Sequence, residues 1–290
     1  MSKKQGSILD HLRCPTGPVD VVTDFDARAT PGYPDGYDKD DAAELKADLE
    51  PELDDLQERM YADGLTHRET TPTLLLILQG LDTSGKGGVI RHVIGMVDPQ
   101  GVQIKSFKAP TSEEREQDFL WRIRRALPGP GKIGIFDRSH YEDVLIQRVE
   151  QMAPPEEIER RYGAINEFEA ELVASGIKVV KCFLNVSRAE QRERLLARLE
   201  NPEKYYKYNP GDVDVAMKYN QYMSAYSIAL GRCNTEAAPW YVVPADRKWY
   251  RNWAIAQILL ESMEQFGLGW PSADFDVDAE RARVLALPRI

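Results

Sequence analysis

The stretch Thr73–Arg91, TLLLILQGLDTSGKGGVIR, holds the residue types whose spacing carries the plainest chemistry. Gly80 and Gly85 bracket four residues and Lys86 follows, which is the Walker A spacing. Glycines at Gly80, Gly85, Gly87 and Gly88 let backbone N–H groups curl around an anion, a helix beginning there adds partial positive charge, and Lys86 supplies a full one. Such a loop suits a chain of phosphates. Gly87 stands where a standard Walker A has the Ser or Thr that ligates Mg²⁺. Asp82, inside the loop, would repel phosphates unless a cation sat between them, which makes it a candidate Mg²⁺ ligand. The other reading of Asp82 is a turn aspartate bonding its own backbone.

A second set of such residues ends a later apolar run, where Ile133–Phe136 leads into Asp137-Arg138-Ser139-His140-Tyr141. An aspartate at the C-terminal end of an apolar strand, downstream of a phosphate loop, fits the Walker B role of holding or orienting Mg²⁺. Arg138 beside it can clamp a phosphate with two parallel N–H bonds. His140, with Glu142 and Asp143, can be read as a metal site, although a lone histidine in such a run is more often a packing residue. Farther along, Arg194 and Arg198 lie four apart and share a helix face, with Glu190, Glu193 and Glu200 as ion-pair partners on a solvated helix. The segment NPEKYYKYNPGDVDVAMKYNQY then mixes Lys204, Lys207 and Lys218 with tyrosines and two Asn-Pro breaks, a composition suited to a mobile cover over a charged ligand.

These groups need elements to hold them. Apolar runs predict strands at Leu74–Leu78, Val102–Phe107, Ile133–Phe136, Ile177–Leu184 and Trp240–Val243, the fourth interrupted by Lys178 and Lys181. Between them, helical spacing predicts a helix after Gly88, then Ser112–Leu127, Pro155–Ser175, Ala189–Leu199, Asp212–Leu230 and Lys248–Phe266. Strands alternating with helices after a phosphate loop make an α/β chain, a three-layer α/β/α sandwich on a parallel sheet of the P-loop kinase type. Residues 1–70 read as an acidic helical extension with an amphipathic helix over Asp40–Asp63. Residues 71–270 form the core, with a helical lid at about 188–222, and 271–290 a loosely structured tail.

The 290 residues are 42% hydrophobic and 29% charged, with no apolar run long enough to span a bilayer and no signal-peptide core in MSKKQGSILD. Cys14, Cys182 and Cys233 have no metal-ligand spacing, so a reducing cytoplasm is the expected location. A net charge of −10 argues against nucleic acid or an anionic membrane as partner. A polyanionic ligand must therefore be drawn by local basic clusters.

Four motifs in order, GLDTSGKGG, FDRSHYEDVL, NPEKYYKYNPGD and APWYVVPADRKWYRNWA, closely resemble the polyphosphate kinase 2 family, over roughly residues 40–270. The resemblance implies inorganic polyphosphate as donor, a nucleoside mono- or diphosphate as acceptor and Mg²⁺ as cofactor. It carries catalytic roles onto Asp82, Lys86, Asp137, Arg138 and a lid arginine, Arg198 or Arg194. Asp82 and Asp137 would hold the metal. Gly80, Gly85, Lys86, Gly87, Gly88, Arg194, Arg198, Lys204 and Lys207 would line the phosphate track, and Arg138, Tyr141 and Glu142 would meet the nucleotide. Glu142-Asp143 after Tyr141 resembles the class III branch, whose members phosphorylate both mono- and diphosphates. A homo-oligomer is expected. Two other classes share parts of this pattern: an ATP-dependent nucleoside monophosphate kinase of thymidylate-kinase type, and a non-catalytic P-loop nucleotide-binding protein.

Overall fold

In the computed structural model, which describes residues 6–288, five parallel strands lie in the order β2-β3-β1-β4-β5. These are β1 (Thr73–Gln79), β2 (Val102–Ser106), β3 (Ile133–Asp137), β4 (Ile177–Asn185) and β5 (Trp240–Pro244). The central strand β1 is buried at every residue, as a strand covered on both faces must be. It pairs with β3 on one side and β4 on the other, with Leu78 opposite Asp137 and Cys182. From β1 the chain passes to the edge strand β2, returns through β3 and crosses β1 to β4 on the other side, and in such sheets a crevice opens at the C-terminal strand ends.

Around the sheet run α1 (Ile8–Leu12), α2 (Ala42–Ala47), α3 (Glu50–Thr66), α4 (Lys86–His92), α5 (Ser112–Arg115), α6 (Trp121–Arg124), α7 (Glu142–Val149), α8 (Pro155–Ala174), α9 (Arg188–Leu199), α10 (Gly211–Met217), α11 (Tyr219–Arg232), α12 (Lys248–Glu264) and α13 (Val277–Leu285). The main core joins β1, β4 and β5 to α11 and α12, and the first residues belong to it: Ile8, Leu9, Leu12 and Val21 are buried with Trp253 and Ile255. Glu261 of α12 holds the start of α1, accepting from Ile8 N at 2.8 Å. Cys14 N donates to Trp240 O at 2.8 Å, and Arg13 bridges Tyr241 in antiparallel fashion.

Three helices that periodicity predicts as single are broken. Asp40–Asp63 becomes α2 and α3, because Pro51 has no N–H to donate and its ring crowds the preceding turn. Ser112–Leu127 becomes α5 and α6; Asp118 Oδ1 accepts from Leu120 N at 2.9 Å and turns the chain locally. Asp212–Leu230 becomes α10 and α11, joined at Lys218, whose ammonium is paired with Glu150. After Gly267 the chain also forms α13, which exposes Val284 and Leu285.

Lys181, the polar interruption in the fourth strand, is fully buried. Its ammonium donates to Glu169 Oε2 at 2.5 Å, Cys233 O at 2.6 Å and the Tyr141 hydroxyl at 2.9 Å. The Tyr141 hydroxyl donates to Glu169 Oε1 at 2.9 Å, and His140 Nε2 lies 3.2 Å from the same oxygen. Burial pushes Glu169 up, but Lys181 and His140 outweigh it and hold the carboxylate below its ordinary range. A buried pair of this kind is costly to break from one side. Lys181→Met is expected to lower unfolding free energy by about 3–5 kcal/mol, read by denaturant titration, with Lys181→Met/Glu169→Gln recovering part of the loss.

Candidate active site

Between β1 and α4 the chain folds into the loop that the glycine spacing predicts. Gly80 and Gly85 have φ of 148° and 111°, in the left-handed region that favours glycine, and Thr83 joins them at 70°. A Cβ on Gly80 would come within 2.8 Å of Leu184 O, so the loop can press against β4 only with glycine there. Lys86 is the first residue of α4 and is buried; its ammonium donates back to Gly80 O at 2.7 Å and Leu81 O at 3.3 Å. Burial pushes its pKa down, with Asp82 opposing.

Asp82 projects from the loop to Arg138, which donates to its Oδ1 at 2.8 Å. Arg138 follows β3 with φ of 64°, a strained conformation for a side-chain-bearing residue and one that recurs at functional corners. Its N–H donates to Leu78 O at 3.1 Å, so the corner is tied to β1. Burial raises the Asp82 pKa, but Lys86, Arg138 and Arg198 together outweigh it and keep the carboxylate ionised. Glu142 shows the opposite balance: burial pushes its pKa up against Arg138 and Lys86. The amide of Gln79, in the orientation that satisfies both its ends, donates to Glu142 Oε1 at 3.1 Å and accepts from Ser139 N. Asp137 is half-buried at the end of β3, where Ser106 Oγ donates to its Oδ2 at 3.3 Å.

Arg198 reaches over from α9. It donates to Asp212 Oδ2 at 2.9 Å and to Lys207 O at 2.8 Å, while Lys204 and Lys207 stand exposed on the 3₁₀ turn Pro202–Lys207. Arg194, one helical turn earlier, departs from the expected track. It is buried, and its guanidinium donates to Thr83 O at 2.8 Å, Ala245 O at 2.6 Å, Asp246 O at 2.9 Å and Glu190 Oε1 at 2.8 Å. It braces the loop from behind and has no group turned to solvent. Tyr141 likewise lies fully buried on Glu169 and Lys181, so its ring backs the corner and does not line an opening. His140 is buried beside it with Nε2 3.2 Å from Glu169 Oε1, and among the described residues it belongs to no group of three or more side chains that could hold a metal, so it is a packing residue of this buried set.

Beside Arg138 opens a cavity of about 420 Å³, lined by Phe107, Arg115, Arg122, Arg138, Glu142 and Asp143 among others. In a straight helix over Ser112–Leu127, Arg115 near its start faces the site and Arg122 counts as a surface charge; with the chain broken between α5 and α6, both line the cavity. Arg122 stacks 5.6 Å from the Phe107 ring and lies 3.7 Å from Asp143 Oδ2. Lys108-Ala109-Pro110, closing the C-terminal end of β2 where open α/β sheets bind ligands, is the sequence signal for Arg115; Arg122 has no such local signal.

Asp82, Asp137 and Glu142 are the acidic groups whose charges act on Lys86, and among the described residues no cluster of three or more metal-ligating side chains exists. Two carboxylates with space for phosphate oxygens and water suit Mg²⁺, which keeps much of its shell from outside the protein.

A parallel sheet of this order, with a phosphate loop, a strand-end Asp-Arg pair and an arginine-bearing helical lid, defines a P-loop phosphotransferase. Residues 36–267 match the family model for polyphosphate kinase 2, and the chain belongs to that family. The AMP/ADP-polyphosphate phosphotransferase of Meiothermus ruber is 42% identical over 250 residues, covering 86% of this chain and 91% of that protein. The ADP-polyphosphate phosphotransferase of Rhodopseudomonas palustris is 41% identical over 231 residues, 76% of this chain and 78% of that protein. The crystal structure of polyphosphate kinase 2 from Arthrobacter aurescens TC1 superposes with a TM-score of 0.92 at 47% identity, covering 98% of both chains. These likenesses favour neither the thymidylate-kinase type nor the non-catalytic reading. No helix among the described residues is long and apolar enough to cross a membrane.

Asp143 provides a pH test of the cavity. Burial outweighs Arg122 and Arg161 and raises its pKa from 3.8 to about 6, while its Oδ2 lacks a hydrogen-bond partner. The folded chain thus holds this proton more tightly than the unfolded chain, so stability is fully present below the unfolded value and is lost as pH rises through the folded one. Asp143→Asn is expected to match the wild type in unfolding free energy near pH 4 and to exceed it near pH 7 by on the order of 2 kcal/mol, read by denaturant titration across pH.

Proposed function

We propose that this polyphosphate kinase 2 transfers phosphoryl groups reversibly between inorganic polyphosphate and nucleoside mono- and diphosphates, taking AMP to ADP and ADP to ATP, in a reducing cytoplasm. The observation that carries it is the Arg138–Asp82 ion pair at the mouth of the loop, on which the charges of Lys86 and Arg198 also act, next to a cavity with its own arginines. Phosphate on both sides of one carboxylate calls for two anion-binding surfaces meeting at a point. The names of the Meiothermus ruber and Rhodopseudomonas palustris relatives support this choice of substrates.

The loop amides and Lys86 hold the donor phosphate, Lys86 exchanging the Gly80 and Leu81 carbonyls for phosphate oxygens. Arg198, Lys204 and Lys207 flank the donor chain as it leaves, a basic track with no shape to read, as a polymer of identical units requires. Arg115, Arg122 and Arg138 meet the acceptor's phosphates, and Phe107 and Phe119 offer apolar surface in the same cavity. Arg138 stands between the two surfaces and can neutralise equatorial oxygens of the moving group. Asp82 and Asp137 would hold Mg²⁺, which when bound supplies charge neutralisation between the donor and acceptor oxygens. Buried Arg194 and Tyr141 support these residues and do not touch substrate. Both bonds exchanged are phosphoanhydrides, so direction follows concentration.

Purified protein with Mg²⁺ and long-chain polyphosphate is expected to convert AMP to ADP and then to ATP, followed by chromatography of the nucleotides, and Lys86→Ala to abolish both steps. Asp82→Asn should lower kcat by about a hundredfold or more and raise the Mg²⁺ requirement while leaving the melting profile intact. ADP that never proceeds to ATP would remove the class III reading of Glu142-Asp143. Turnover with ATP and none with polyphosphate would overturn the proposal.

A further inference from the structure

Behind the phosphate loop lie two guanidinium groups and one carboxylate. Arg194 is paired with Glu190. Arg251, from α12, is 3% exposed and forms no ion pair among the described residues. Its Nε and Nη2 donate to Asn252 Oδ1 at 3.2 and 2.8 Å, and its Nη1 to Ser84 O at 3.2 Å. The same Ser84 oxygen accepts from Arg194 Nη1 at 3.3 Å, so two cations share one carbonyl of the loop. Burial and the charge of Arg194 push the Arg251 pKa down to about 10, which leaves it charged at neutral pH.

The loop backbone is cleared for this side chain. A Cβ on Gly85 would lie 1.8 Å from Arg251 Nη1, and one on Gly88 would lie 2.8 Å from Nη2. Gly85 needs glycine for its φ as well. Gly88 does not: its backbone is of the ordinary kind, and Arg251 is the only residue its Cβ would crowd. One glycine of the motif is therefore accounted for by a guanidinium and by nothing else nearby. A buried cation without a counter-ion is costly in the empty protein and is compensated once an anion arrives.

We propose that Arg251 is a second fixed cation of the phosphate loop, a positioning residue that has the bound donor phosphate as its counter-ion and that acts through the Ser84 segment. The proposal rests on the reading that this loop takes the polyphosphate donor. It explains why the segment DRKWYRNWA, remote in sequence from every phosphate motif, packs against the loop: its Arg251 is the charge that Gly85 and Gly88 make room for. It also separates the two guanidiniums, since Arg194 is neutralised by Glu190 and holds the backbone, whereas Arg251 adds net charge.

The test is titration calorimetry of the full-length protein with tripolyphosphate and Mg²⁺, alongside AMP titrations and ligand-free melts. Arg251→Met is expected to weaken tripolyphosphate by about tenfold or more, to flatten the salt dependence of that affinity, and to leave AMP affinity and the ligand-free melting temperature no lower than in the wild type. Arg251→Lys should recover part of the loss. Gly88→Ala, which displaces the guanidinium and leaves the charge in the chain, should weaken tripolyphosphate on its own and have no further effect in the Arg251→Met background. Unchanged tripolyphosphate affinity in Arg251→Met would overturn the proposal, as would a parallel fall in AMP affinity and melting temperature, or a Gly88→Ala effect that persists without Arg251. If Arg251→Met does not fold, Arg251→Lys and Gly88→Ala decide by the same affinities. A wild-type protein that binds no tripolyphosphate would instead remove the donor assignment itself.

Discussion

The carboxylate of Asp82 sits in the mouth of a loop shaped for phosphate, and it is tolerated there because Arg138 bonds it directly and the charges of Lys86 and Arg198 act on it as well. Each of those cations comes from a different part of the chain: the start of α4, the corner after β3, and the end of α9. Keeping three like charges near one another and near a carboxylate demands a rigid frame, since a shift of an ångström changes every pairwise energy in a partly dry site. The sheet supplies that frame. The register that sets Leu78 against Asp137 fixes the loop relative to the corner, and the hydrogen bond from Arg138 N to Leu78 O makes the left-handed turn a continuation of the sheet.

The corner is then held from its far side by groups with no access to solvent. Tyr141, His140, Glu169 and Lys181 form a closed set of charges and hydrogen bonds directly behind Arg138 and Glu142. Apolar packing alone would permit the β3–α7 connection to slide; a buried pair with directional bonds does not, because any displacement strands a charge. The same division holds behind the phosphate loop, where Arg194 spans Thr83 and Ala245. In a chain of net charge −10, cations are thus spent in two ways: some face the ligand, and others pin the backbone that presents it.

Local spacing made the strands, the phosphate loop and the strand-end aspartate legible, because each depends on neighbours close in sequence. It misled where the deciding partner is distant. Arg194 and Arg198 are equivalent on a helical wheel, yet one is buried under the loop and the other reaches Asp212, a difference made by α10 and the β5–α12 connection. Tyr141 lies three residues after Arg138 and turns away from it in space, toward a lysine in β4 that periodicity showed only as an interruption. The helix breaks at Pro51 and Asp118 were written in the residues, but placing Arg122 in the cavity after the second break required knowing where α6 packs.

The anchoring of residues 8–14 bears on more than the core. A parallel sheet ends in two strands with unpaired backbone groups, and such edges recruit other chains. At β5 the crossing of Arg13 over Tyr241 and the bond from Cys14 to Trp240 occupy part of that edge. At β2, in contrast, the strand carries Gln103 and Lys105, so the opposite edge is guarded by polar and charged side chains. The N-terminal strap is therefore a stopper as well as packing: lifting it away bares Tyr241 and the Trp240 carbonyl, and turns that part of the edge into a template for strand addition.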